Sequence, residues 1–168
     1  MVDKDPFVTT ALPAIAEPNE ESSLPDGDAN EAAPAQRSLI LVVDDAADNV
    51  AMLSLDLQNQ GYRVVTATNG EEAVSVASYA RPDLILMDIS MPRLDGLGAT
   101  RKIRETPALR AIPIVAVTAF GTEGFQRAAY DAGVSGYLTK PVDFDRMHQL
   151  IARLLVPGGS GNLGDMKH

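Results

Sequence analysis

Apolar residues follow two alternating patterns along the middle of the chain: short continuous runs, and longer stretches with an apolar residue every third or fourth position. The runs are SLILVV at 38–43, YRVVTAT at 62–68, LILM at 84–87, IPIVAVT at 112–118 and SGYLTK at 135–140. Their brevity and their flanking turn residues predict strands, and the continuous ones read as strands covered on both faces. Between the first two, residues 48–60 carry Val50, Leu53 and Leu57 at i, i+3 and i+7, and Gly61 is placed to stop a helix. Residues 70–80 put Ala73, Val76, Ala77 and Ala80 on one helical face ahead of Pro82, and residues 96–105 form a third helix. Residues 122–132 align Phe125, Ala128, Ala129 and Ala132 before Gly133, which places Phe125 in the core. A fifth helix opens on Asp143 as its N-cap and spaces Phe144, Met147, Ile151, Leu154 and Leu155 helically.

Five strands alternating with five helices through short loops imply right-handed crossovers. The expected fold is a doubly wound α/β domain, a five-stranded parallel sheet with helices on both faces. Ligands of such sheets bind outside the carboxyl ends of the strands, so chemistry is expected just after each apolar run.

Composition sets the boundaries of that domain. Residues 1–37 hold five of the eleven prolines, eight acids and two bases, with no apolar period. Such a segment cannot bury enough surface to offset its ordering entropy and is expected to be a disordered acidic Pro/Ala-rich tail. PGGSGNLGDMKH at 157–168 is expected to be a flexible C-terminal tail, leaving 38–156 as the folded part. With no cysteine, disulfides, thiolate metal sites and thiol nucleophiles are excluded, and the cytoplasm is the expected location. The net charge of −9 argues against nucleic acid and anionic lipid as partners. No apolar run approaches the ~20 residues of a membrane span. FVTTALPAIA at 7–16 lacks the basic leading region of a secretion signal and reads as tail.

The strand ends supply the candidate chemistry. The first strand ends in Asp44-Asp45, the third in Asp88, the fourth in Thr118 and the fifth in Lys140. Adjacent acids point to opposite faces of a strand, so Asp44 and Asp45 can converge only where the chain is turning. Three carboxylates in a small volume raise one another's pKa unless a cation joins them. Oxygen donors without His or Cys favour a hard divalent ion, and Mg²⁺ is the expected one. Lys140 adds a compact positive charge and Thr118 a hydroxyl. A carboxylate flanked by metal, lysine and hydroxyl is suited to attack phosphorus, which implies an aspartyl phosphate on Asp88.

In this order and at this separation, VVDDAADN, LILMDISMPRLDG, VAVTA and GYLTKP resemble the receiver (CheY-like) domain of two-component response regulators, across about 38–156. The resemblance implies the flavodoxin-like strand order 2-1-3-4-5. It further implies that Asp88 accepts phosphate from the phosphohistidine of a sensor histidine kinase or a histidine phosphotransfer protein. Asp45 and Asp88 would ligate Mg²⁺ directly with the Ser90 main-chain carbonyl, and Asp44 mostly through water. Thr118 and Lys140 would move onto the phosphoryl oxygens, and Tyr137 would swing inward as the switch residue. A downstream target would bind the face formed by helix 4, strand 5 and helix 5. The Lys140-Pro141 bond is expected to be cis. The chain would act as a single-domain regulator, or as a passive phosphate shuttle to a histidine phosphotransfer protein, and not as an enzyme in its own right.

Taken singly, each residue has a plainer reading: paired acids at a helix start, an Asp in a turn, a half-buried strand tyrosine. The conjunction at four strand ends carries the argument. A flavodoxin-like nucleotide carrier would need hydroxyls and amides after the first strand, where DDAADN is acidic. A phosphatase of the haloacid dehalogenase type would need a second Asp two residues after the nucleophile, where Ser90 stands. If the domain boundary is right, deleting residues 1–37 leaves phosphorylation by a small phosphodonor intact; loss of labelling would move the boundary.

Overall fold

The computed structural model describes residues 38–91 and 94–156. Both expected tails therefore lie outside the described residues. Five strands and five helices alternate: β1 (Leu39–Val43), α1 (Ala47–Asn59), β2 (Arg63–Ala67), α2 (Gly70–Ala80), β3 (Leu84–Asp88), α3 (Gly96–Glu105), β4 (Ile114–Thr118), α4 (Glu123–Ala132), β5 (Gly136–Thr139) and α5 (Phe144–Leu154). The strands form one parallel sheet in the order β2-β1-β3-β4-β5, as the resemblance implies.

Alternation along the strands divides the core in two. Ile40, Val42, Leu84, Leu86, Val115, Val117 and Leu138 pack against Leu53 and Leu57 of α1 and Met147, Leu150 and Ile151 of α5. Leu41, Val43, Ile85, Met87, Ile114, Ala116 and Tyr137 face the other side, against α2, α3 and α4. Both faces of β1, β3 and β4 are thus covered, which is why their sequences are continuously apolar instead of alternating.

The helix ends follow local chemistry. Asn69, Asp95, Thr122 and Asp143 each cap a helix by accepting from a backbone N–H. Glu72 completes the start of α2 by accepting from the Thr68 amide and hydroxyl, which holds its carboxyl below the usual range. Gly61 and Gly133 take positive φ at the ends of α1 and α4.

The edges differ from expectation by a residue or two. α1 begins at Ala47 instead of residue 48, because the chain start is held by Asp44, whose Oδ1 accepts the Ala46 N–H at 2.9 Å. β4 begins at Ile114, since the Ile112 N–H is spent on Leu109 in a turn and Pro113 has none to give. β2 and β5 are each trimmed at both ends, although Ser135 and Lys140 still donate backbone bonds to β4. Phe125 is a correction: it is 42% exposed, not core. It lies in the first turn of α4, beyond the carboxyl edge of the sheet, and the small Ala129 and Ala132 fill the inward face instead.

α3 starts almost in contact with the end of β3. A Cβ on Gly96 would lie 2.2 Å from the Asp88 carbonyl oxygen and 2.7 Å from the Ile89 Cα. Both obstacles are backbone, so Gly96→Ala must displace the end of β3. The expected result is a lower urea midpoint, by about 1–3 kcal/mol of stability as for other overpacked sites; an unchanged midpoint would show that the contact is tolerant.

Candidate functional site

The alternation that splits the core also sorts the polar residues at the carboxyl ends. Asp44, Asp88 and Lys140 continue the positions of Val42, Leu86 and Leu138, on the side of α1 and α5. Thr118 continues Ala116 on the side of α2–α4, where Tyr137 also lies.

The first group forms a compact cluster. Carboxylate oxygens of Asp44, Asp45 and Asp88 lie within 4.8 Å of one another. Asp44 is 1% and Asp88 4% exposed, whereas Asp45 is open to solvent. Lys140 Nζ bridges the two buried acids, 2.9 Å from Asp44 Oδ2 and 3.3 Å from Asp88 Oδ2. The Ser90 N–H donates to Asp88 Oδ1 at 3.0 Å, and Ser90 is exposed. This donor set is all oxygen, open on the Asp45 side and short of positive charge, so it fits a hard divalent cation.

Burial pushes the Asp88 carboxyl up, the Ser90 N–H opposes that, the Asp44 charge raises it further, and Lys140 pulls it down; the net direction is up. For Lys140, burial pulls the ammonium down, but its hydrogen bond to Asp44 and the charges of Asp88 and Asp44 outweigh that and raise it. The lysine is therefore held protonated between the acids.

The second group meets at one loop residue. Phe120 donates its N–H to Thr118 Oγ at 3.1 Å, and its carbonyl accepts the Tyr137 hydroxyl. Tyr137 is buried, so its ring already points inward. The Thr118 hydroxyl is thus engaged with the loop after β4, and its described partner is not a member of the acidic cluster. Phe120, 45% exposed, stacks on Phe125 with ring centroids 4.9 Å apart and planes 17° from parallel. The Lys140-Pro141 bond is cis, as expected.

Asn49 was not singled out from sequence, although it stands in VVDDAADN. Its side-chain amide donates to Asp44 Oδ2 at 3.2 Å. Its position in the first turn of the helix that leaves the site was the available signal.

Comparison with known proteins gives a family match and close structural likeness. Residues 40–152 match the family described as response regulator receiver domain. The chain is 41% identical over 104 residues to the response regulator PleD of Caulobacter vibrioides, covering 62% of this chain and 23% of that protein. It thus spans less than a quarter of PleD. It is 34% identical over 116 residues to the polar-differentiation response regulator DivK of Brucella anthropi, covering 69% of this chain and 94% of that one. Among solved structures, the receiver domain of a Pseudomonas aeruginosa sensor histidine kinase, described with a magnesium ion in its active site cleft, superimposes with a TM-score of 0.66 at 36% identity, covering 70% of this chain and 97% of that one.

The raised Asp88 pKa has a sign that stability measurements can read. The folded state holds a proton on Asp88 more tightly than the unfolded chain does, so ionising it costs stability. That cost is absent below the ordinary carboxylate pKa of about 4 and fully present above the raised value. In metal-free buffer, Asp88→Asn is expected to have the higher urea midpoint at neutral pH, with the gap closing as the pH falls. A variant less stable than wild type at neutral pH would contradict this reading of the site.

Proposed function

The chain belongs to the response regulator receiver domain family, and from that premise we propose that Asp88 accepts a phosphoryl group from a phosphohistidine and that the charge so placed alters a protein-binding surface. The observation that carries this reading is the Lys140 ammonium set between buried Asp44 and Asp88, beside the exposed carboxylate of Asp45.

The reaction is a displacement at phosphorus. An oxygen of Asp88 forms the new O–P bond as the P–N bond to the donor imidazole breaks, and the bonding pair leaves with the imidazole nitrogen. Asp45, Asp88 and the Ser90 carbonyl would hold Mg²⁺, with Asp44 acting through water, and the ion would supply positive charge that offsets repulsion between the carboxylates and an incoming phosphoryl group. Lys140 is the residue's own counterpart to that charge. Its Nζ already lies 3.3 Å from Asp88 Oδ2, and it transfers its contact to a phosphoryl oxygen as the group arrives. Thr118 donates its hydroxyl to another, and because its Oγ also accepts the Phe120 N–H, its movement carries that bond with it.

That movement is the route to an output. Phosphorylation adds about −1.5 to −2 charges at one end of the sheet. Movement of Thr118 pulls on Phe120, and Phe120 is tied to Tyr137 through its carbonyl. The exposed Phe120–Phe125 pair therefore moves with the site, on the face formed by α4, β5 and α5. This favours phosphorylation-dependent binding of a downstream protein over passive shuttling of phosphate, which needs only docking of a kinase or a histidine phosphotransfer protein.

Incubation with acetyl phosphate and Mg²⁺ tests the chemistry. The expected product carries about one acid-stable, base-labile phosphate per chain, lost in Asp88→Asn and blocked by EDTA. Continuous release of inorganic phosphate without accumulation would instead indicate a turnover phosphatase.

A further inference from the structure

The face formed by α4, β5 and α5 carries a groove of about 320 Å³, lined by Gly121, Gln126, Tyr130, Tyr137, Thr139 and Arg146. β5 is the last strand of the sheet, and Tyr137 and Thr139, two residues apart, lie on one side of it. Gln126 and Tyr130 stand one helical turn apart on α4, and Arg146 closes the groove from the first turn of α5. Arg146 is the one charged residue of the six, in a protein whose net charge is −9.

The groove has donors to spare. Arg146 is exposed, and among the described residues neither its guanidinium nor the hydroxyls of Tyr130 and Thr139 have a hydrogen-bond or ion-pair partner. Gln126 Nε2 lies 3.5 Å from the Gly121 carbonyl, too far to hold the amide firmly. The Tyr137 hydroxyl is engaged by the Phe120 carbonyl, so Tyr137 contributes wall and not donor. Free donors around one guanidinium fit an oxyanion, and a carboxylate matches the planar fork of arginine with two parallel bonds. A phosphate dianion fits less well, because one cation balances half its charge and Glu123, Asp143 and Asp145 stand at the starts of the same two helices. Phe120 precedes Gly121, so the exposed Phe120–Phe125 stack borders the groove with an apolar surface.

We propose that this groove anchors the output partner by taking an Asp or Glu side chain on Arg146, while an apolar residue beside that acid packs on Phe120 and Phe125. A free anion lacks the apolar half of the contact, and a segment of a partner protein supplies both halves. Control of the groove rests on the phosphoacceptor reading: a movement of Thr118 that carries Phe120 also carries Gly121, which forms part of the lining.

Selection from a displayed library of short random peptides tests this, run on the full chain with and without beryllium trifluoride and Mg²⁺, a non-covalent mimic of the aspartyl phosphate. The enriched peptides are expected to place Asp or Glu beside an aliphatic or aromatic residue. A synthetic peptide of that sequence should bind Arg146→Gln about tenfold more weakly than wild type, the size expected for loss of hydrogen bonds to a charged group. Arg146→Lys, which keeps the charge without the fork, should recover part of the loss. Changing the peptide's acid to its amide should cost as much in wild type and nothing further in Arg146→Gln. Enriched peptides without an acid, no enrichment in either state, or affinity unmoved by Arg146→Gln would overturn the role of the groove. A peptide that meets every one of these expectations but binds equally with and without the mimic would support the groove and overturn the phosphorylation control on which its regulation rests.

Discussion

Two buried carboxylates and one ammonium at the carboxyl edge of the sheet set the terms for the rest of the structure. Placing Asp44 and Asp88 in nearly dry surroundings is costly unless each is paired and hydrogen-bonded. Lys140 pairs both, the Ala46, Asn49 and Ser90 donors complete the bonding, and the central strands β1 and β3 hold the acids side by side. Gly96 belongs to the same arrangement, since only a residue without a side chain lets α3 start against the Asp88 carbonyl. With Asp45 included, three carboxylates face one ammonium, so the cluster is two positive charges short of balance, which suits a divalent cation.

The period-2 geometry of strands sorts the polar groups of the site onto two faces. Asp44, Asp88 and Lys140 extend the α1/α5 side, while Thr118 and Tyr137 extend the α2–α4 side. Under the proposed function, the reacting groups and the reporting groups would thus sit on opposite faces of the same sheet edge, within a few residues of one another along β4 and β5. Phe120 joins Thr118 to Tyr137 through both of its backbone polar groups. A near-complete switch needs about 5.5 kcal/mol of preference for one state. A few charge-assisted hydrogen bonds from Lys140 and Thr118 to a phosphoryl group would be of that order.

Much of this was legible in the chain because the signals were local. Short apolar runs located every strand, and Gly61, Gly133 and Asp143 marked helix ends through backbone chemistry that a single residue decides. The strand order came from resemblance, since periodicity does not say which strands are neighbours. Edges shifted where a side-chain bond or a turn only two or three residues away outcompeted the pattern, as at Ala46 and Ile112. Phe125 was misplaced because helical spacing records which residues share a face, not where the sheet beneath them ends. The Asn49 bond to Asp44 and the Phe120–Phe125 stack depend on side-chain directions around a turn, which spacing alone leaves open.

The central claim is that Asp88, and not Asp44 or Asp45, carries the phosphoryl group. Borohydride reduces an acyl phosphate to the alcohol, so a phosphorylated aspartate becomes homoserine and keeps a permanent mark. Peptide mass spectrometry after phosphorylation and reduction is expected to find homoserine at position 88 and aspartate at 44 and 45. Homoserine at 44 or 45, or none at 88 in a protein that has bound phosphate covalently, would contradict the account.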